Sequence, residues 1–298
     1  MTQALEPELV PSFDGSEIAA YSFGEDAGDH KAPVLICNAV GADLSMWRRS
    51  VVDLQRERRI VAWDHRGLHA SGPPASDRLD AGAQAEDAIA CMNYLGIEDF
   101  YVTSWSNGAR IALEVAVRYP ERVRGAVLVS GVYGYHLTNL IRRLELPALM
   151  PTIAGVAKHF SGPLQGVFHR LVARPEVAGV IRQSGLIAAP ADTQALVDVL
   201  RGIADSDLGI FLKTFEALTG DSVGRMLGRI EPPALLVAGS KDNLAPLRGA
   251  QETCRALPSA RLVVYEDATH FLPIEFPGRL SEDLRRFVAG PDEMLAAL

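Results

Sequence analysis

A serine hydroxyl becomes a useful nucleophile near neutral pH only when a histidine takes its proton and a carboxylate orients and stabilises the imidazolium that results. Three residues of this chain offer those types in the order serine, aspartate, histidine, each soon after an apolar strand-like run. Ser106 is the centre of Ser104-Trp105-Ser106-Asn107-Gly108, Asp242 closes Ala238-Gly239-Ser240-Lys241-Asp242, and His270 stands in Ala268-Thr269-His270-Phe271-Leu272-Pro273. Small residues two places to either side of Ser106 let a strand and a helix close on a strained turn that lifts the central side chain clear of a sheet. The chemistry on offer is attack on an acyl carbon, with an acyl-enzyme as intermediate.

The flanking sequence must build that turn. Asp99 to Thr103 reads as a strand. From Asn107 the chain runs Ala109, Ile111, Ala112, Leu113, Val115 and Ala116 against Arg110, Glu114 and Arg118, an amphipathic helix that stops at Pro120. Around this unit, Leu9-Val10 and Ile18 to Phe23 predict a hairpin about Asp14-Gly15-Ser16. Further strands are expected at Pro33 to Cys37, Arg59 to Trp63, Val123 to Val129, Ala234 to Ala238 and Arg261 to Tyr265. Helices are expected at Leu44 to Arg56, Ala81 to Leu95, Pro246 to Ala256 and Pro277 to Ala289. Alternation at such short intervals gives an α/β fold with a mainly parallel twisted sheet and helices on both faces. It breaks after Gly131. Between 133 and 228 the pattern is helical throughout, with stripes at Leu164, Val167, Phe168 and Leu171, at Leu196, Val199, Leu200 and Ile203, and at Leu208, Phe211, Leu212 and Phe215.

These motifs resemble the α/β-hydrolase family. Its nucleophile elbow is GxSxG, here with Ser104 in place of the first glycine. The stretches around Asp242 and His270 look like its acid loop and its terminal histidine loop, with Glu275 and Pro277 following as the family often has them. The resemblance implies a core formed by residues 1–132 and 229–298, with the segment 133–228 inserted as a helical cap. It also implies a catalytic set of Ser106, Asp242 and His270, and an oxyanion hole of two backbone N–H groups, those of Asn107 and Val40. The family's acid sometimes follows the preceding strand, but Ser130-Gly131-Val132 has no carboxylate. Where many relatives have His-Gly before the second donor, this chain has Asn38-Ala39. Asp64-His65-Arg66-Gly67 resembles the family's DxRG loop and reads as structural. Asn38, Trp105 and Phe271 are candidates for the substrate pocket, with Trp47 and Trp63 more readily placed in the core.

Composition narrows the partner. The chain has 298 residues, 48% of them hydrophobic, and a net charge of −8 without a basic run, so nucleic acid and anionic membrane surfaces are not expected partners. Cys37, Cys91 and Cys254 are scattered and lack metal-ligand spacing, which predicts free thiols, no metal or cofactor, and a reducing, cytoplasmic setting. No stretch reaches the length of a membrane span. The expected activity is hydrolysis of a small carboxylic ester with an apolar part. Carbon–carbon bond hydrolysis, perhydrolysis and acyl transfer would use the same three residues, and a non-catalytic receptor of the same fold is the alternative of a different class.

Overall fold

The computed structural model describes residues 5–25, 31–131, 166, 170, 174, 176–183, 187–188, 191–218 and 224–298. Eight strands make one sheet in the order β1-β2-β4-β3-β5-β6-β7-β8. They are β1 (Glu8–Pro11), β2 (Glu17–Gly24), β3 (Val34–Cys37), β4 (Arg59–Trp63), β5 (Phe100–Trp105), β6 (Val123–Val129), β7 (Ala234–Gly239) and β8 (Ala260–Tyr265). The first two pair antiparallel with each other, β2 pairs antiparallel with β4, and the remaining neighbours are parallel. The central strands β3, β5 and β7 are buried along their whole length, as runs covered by helices on both faces must be.

Helices α1 (Ala81–Tyr94) and α2 (Gly108–Arg118) pack together on one face. Their core joins Ala85, Ala88, Ile111 and Val115 to Val61, Val102 and Leu128 of the strands. Asp80 caps α1 by accepting from Ala83 N, and Gly96, at φ +67°, lets the chain turn after it. The opposite face carries Trp47, Leu272, Leu280, Leu284 and Phe287 against Ile36, Val127 and Val237.

Among the described residues between β6 and β7 there are helices only: α3 (Glu176–Gln183), α4 (Thr193–Asp205) and α5 (Leu208–Leu218), before a 3-10 turn at Gly224–Arg229. Leu196 and Val199 of α4 are buried, with Leu200 and Ile203 packed beside them, while Ile210, Phe211 and Phe215 of α5 lean on the other core. The stripe at Leu164, Val167, Phe168 and Leu171 lies outside the described residues, as does most of 133–175. The chain closes with α6 (Leu247–Ala256), the single turn α7 (Leu272–Glu275), α8 (Pro277–Ala289) and α9 (Pro291–Ala297).

One expected element differs. Leu44 to Arg56 is not a continuous helix but two 3-10 turns, Leu44–Met46 and Leu54–Arg56, joined by bends. Local bonds persist, as from Val51 N to Trp47 O at 3.0 Å. Tertiary anchors break the ladder: the Trp47 indole donates to Asn38 Oδ1 at 2.7 Å and Ser50 Oγ to Pro273 O at 2.9 Å. The adjacent Val51 and Val52 add β-branched crowding.

Candidate active site

The site assembles at the C-terminal ends of the parallel strands. β5 ends at Trp105, and Ser106 follows with φ +56°, the left-handed region that a side chain resists. Two bonds hold it there, from Ser106 N to Val129 O at 3.0 Å and from Ala109 N to Ser106 O at 3.1 Å. Gly108 is then obligatory, because a Cβ would run into the backbone carbonyls of Cys37 and Asn38. That close approach presses the loop after β3 onto the N-terminus of α2.

Asp242 follows β7 and His270 follows β8, and the two loops are laced together. Lys241 N donates to Ala268 O at 2.9 Å and Ser240 N to Tyr265 O at 3.0 Å. The Asp242 side chain is divided between two tasks: Oδ1 accepts from Leu244 N at 2.8 Å and Ala245 N at 2.7 Å, and Oδ2 lies 2.9 Å from His270 Nδ1. On the other side of the ring, His270 Nε2 lies 2.8 Å from Ser106 Oγ. A carboxylate only accepts, so with Asp242 ionised Nδ1 carries the proton and Nε2 is left to receive one from the serine. Asp242 and His270 are buried while Ser106 is partly exposed, so the relay runs from a shielded carboxylate to an accessible hydroxyl.

Further residues brace the His270 loop. Glu275, also buried, accepts from Thr269 N at 2.7 Å, from Thr269 Oγ1 at 2.5 Å and from Ala188 N at 2.8 Å, joining the histidine loop to the segment between β6 and β7. Trp105 donates its indole N–H to His270 O, and its ring centroid stands 5.7 Å from that of His270 and 5.6 Å from that of Phe271. The Ala188–Glu275 and Trp105–His270 bonds span gaps of 87 and 165 residues, and no local pattern announces them.

Of the residues expected around the oxyanion, Val40 and Asn107 are brought together: Val40 N donates to Asn107 Oδ1 at 3.0 Å. Of the pocket candidates, Asn38, Trp105 and Phe271 are all buried. Asn38 is turned to Trp47, whereas the rings of Trp105 and Phe271 pack against each other and against that of His270. Trp63 is buried in the core beside His65. The DxRG loop sits apart from this chemistry: buried Arg66 grips Asp87 through both Nε and Nη2, at 2.8 and 2.6 Å, and reaches Asp14 through Nη1 at 2.8 Å. His65 is fully buried, and burial with His69 nearby pushes it down to about 3, so it is a neutral imidazole. Burial also raises the Cys37 thiol, which makes it a poor nucleophile.

A sheet of this order with an elbow, an acid loop and a histidine loop at one edge defines an α/β-hydrolase architecture. The family model for the alpha/beta hydrolase fold matches residues 32–170 and 210–277, and the chain belongs to that family. It is an enzyme of the hydrolase class. A 2-hydroxymuconate semialdehyde hydrolase of Pseudomonas putida is 26% identical over 80% of this chain and 79% of its own. The dihydrolipoyllysine-residue acetyltransferase component of the acetoin cleaving system of the same species is 24% identical over 89% of this chain, which spans 65% of that component's length. Among solved structures, the enol-lactonase from Burkholderia xenovorans LB400 superposes with a TM-score of 0.74 at 20% identity, covering 95% of this chain and 100% of its own. Among the described residues, no helix is long and apolar enough to cross a membrane.

Proposed function

We propose that the protein hydrolyses a small carboxylic ester with an apolar part, through an acyl-enzyme on Ser106. The observation that carries this reading is the unbroken relay from Ser106 Oγ through His270 to Asp242, with spacings of 2.8 and 2.9 Å. Ser106 Oγ attacks the acyl carbon as its proton passes to His270 Nε2, and the carbonyl oxygen becomes an oxyanion facing the N–H groups of Asn107 and Val40. Collapse breaks the ester C–O bond, and the leaving alkoxide takes the proton from Nε2. Water then gives a proton to Nε2 and its oxygen to the acyl carbon, releasing the carboxylic acid and restoring the serine. Asp242 keeps Nδ1–H oriented throughout. The Asn107 N–H lies at the start of α2, where the helix dipole favours negative charge.

The apolar preference is supported by what stands beside the loop after β3. A Cβ on Gly41 would lie 2.6 Å from Ile203 Cγ1 and 2.7 Å from Phe211 Cε2, so α4 and α5 reach the wall next to Val40. We assign residues 133–228 the role of a cap over the acyl group on this ground. The free thiols of Cys37, Cys91 and Cys254 support a cytoplasmic setting.

The test is fluorophosphonate labelling of wild type and Ser106→Ala, with hydrolysis of p-nitrophenyl esters of increasing chain length. Labelling and turnover that both depend on Ser106, with a preference beyond acetate, are expected. A wild type that is folded yet neither labels nor turns over any ester would sink the reading and favour the receptor alternative.

A further inference from the structure

Asn107 is the N-cap residue of α2, with φ −67° and ψ −14°, and its side chain makes no capping hydrogen bond to the helix. Asparagine at this position ordinarily turns its side-chain oxygen back onto the N–H groups of the first helical turn. Here that oxygen reaches across to Val40 N instead, at 3.0 Å.

The loop that presents this N–H is firmly shaped. Ala42 N donates to Ala39 O at 2.9 Å, and Gly41, the third residue of that turn, has φ +75°. This is the pattern of a type II turn with Val40 second, and the N–H of a second residue takes no part in the turn's own bond. From behind, Ile203 and Phe211 close on Gly41, and from below the backbone of Cys37 and Asn38 rests on Gly108. A carbonyl oxygen that belongs to the protein thus already sits on one of the two donors that the oxyanion requires.

We propose that the Asn107 side-chain carbonyl is the resting occupant of the oxyanion site and swings away from Val40 when the acyl oxygen becomes charged. The inference rests on the serine-hydrolase reading above. A substrate ester carbonyl is neutral and no better an acceptor than an amide oxygen, so in the ground state it gains little by displacing Asn107. An oxyanion accepts roughly twice as strongly as a neutral oxygen. It displaces the amide, which rotates about χ1 without breaking the turn. Val40 is then a donor to the tetrahedral state rather than to the bound ester, and giving up the Asn107 bond is part of the barrier to that state. The amide also keeps this N–H paired between turnovers.

An alkylboronic acid tests this, because its adduct with Ser106 is a tetrahedral anion with an oxygen at the oxyanion position. In Asn107→Ala the competitor is gone. Boronate inhibition should tighten and kcat/KM for p-nitrophenyl acetate should rise, each about threefold to tenfold, the size of one net hydrogen bond. KM should change little. In Asn107→Asp a charged acceptor holds Val40 and repels the oxyanion, and both quantities should worsen by about a hundredfold or more. A crystal structure of the wild-type phosphonate adduct gives a readout free of any substitution: the phosphoryl oxygen on Val40 N and Asn107 turned away is the expected result. Weaker boronate binding by a folded Asn107→Ala, or an adduct in which Asn107 still holds Val40, overturns the proposal in favour of a fixed brace. A wild type that fails to react with the phosphonate at all is a different failure: it removes the serine-hydrolase reading, and this proposal with it.

Discussion

Trp105 donates its indole N–H to the backbone carbonyl of His270 over 2.9 Å, so the residue just before the serine holds the main chain of the histidine that the serine faces. Elbow and base are therefore tied twice, through the Ser106–His270 side chains and through this buried bond.

Replacing Trp105 by Phe keeps an aromatic ring near His270 and Phe271 but removes the donor. The His270 carbonyl then lacks its partner in a buried setting, which costs about 1–3 kcal/mol of stability. We expect kcat to fall about tenfold with KM within twofold, since the tie orients the base and does not hold the acyl chain. Steady-state kinetics alongside thermal unfolding checks both; an unchanged kcat in a folded variant would remove the positioning role.

Glu275→Gln should be worse than its isosteric shape implies. The carboxylate accepts from three donors, Thr269 N, Thr269 Oγ1 and Ala188 N. Glutamine keeps one accepting oxygen and turns an NH2 toward at least one of those donors. A loss of about 2–3 kcal/mol in denaturant unfolding is expected, together with reduced labelling of Ser106 as the histidine loop loosens.

Arg66 and Asp87 form a buried pair, with Ser12 also donating to Asp87. Arg66→Met leaves the Asp87 carboxylate buried without its guanidinium and should cost about 3–5 kcal/mol. Arg66→Lys should recover little, because an ammonium cannot satisfy both carboxylate oxygens and Asp14 in the same plane. Equilibrium denaturation with urea measures both.

His65 predicts a pH dependence of stability. Folded, it titrates at about 3, against an ordinary value of 6.5. Between those values the unfolded chain binds a proton that the folded chain does not. Stability is therefore unaffected by this group above the upper value and declines as pH falls through the window, by up to about 1.4 kcal/mol per pH unit. Neither ring nitrogen has a partner among the described residues, so His65→Leu should be close to neutral at pH 8 and flatten the acid limb. Melting temperatures of the two proteins from pH 8 to pH 4 decide it.

The sheet was readable because its signals are local. Runs such as Ala234-Leu235-Leu236-Val237-Ala238 fit only a strand covered on both faces, and Pro120 and Gly96 mark helix ends by their own backbone chemistry. The Ser106, Asp242 and His270 loops were equally visible, each following such a run. What stayed hidden depends on contacts distant in sequence. Leu44 to Arg56 carries a helical pattern, yet Trp47 and Ser50 are drawn to Asn38 and Pro273, and the ladder gives way. Trp105 was legible as an aromatic beside the nucleophile, but not as a donor to His270. Asn107 was legible through its backbone N–H, but an asparagine at a helix start points by default to capping, and nothing nearby says that its side chain serves the loop after β3.

The backbone of Ser106 has a wider consequence. At φ +56° a residue with a Cβ costs of the order of 1–3 kcal/mol, and glycine would relieve it. The most stabilising single change at this position is thus one that removes the proposed nucleophile. A thermostability screen blind to turnover would drift toward glycine at 106, whereas Ser106→Ala preserves the turn and is the better silent variant for trapping a bound ester. The Ser106 turn thus leaves this chain below the stability its own fold could reach.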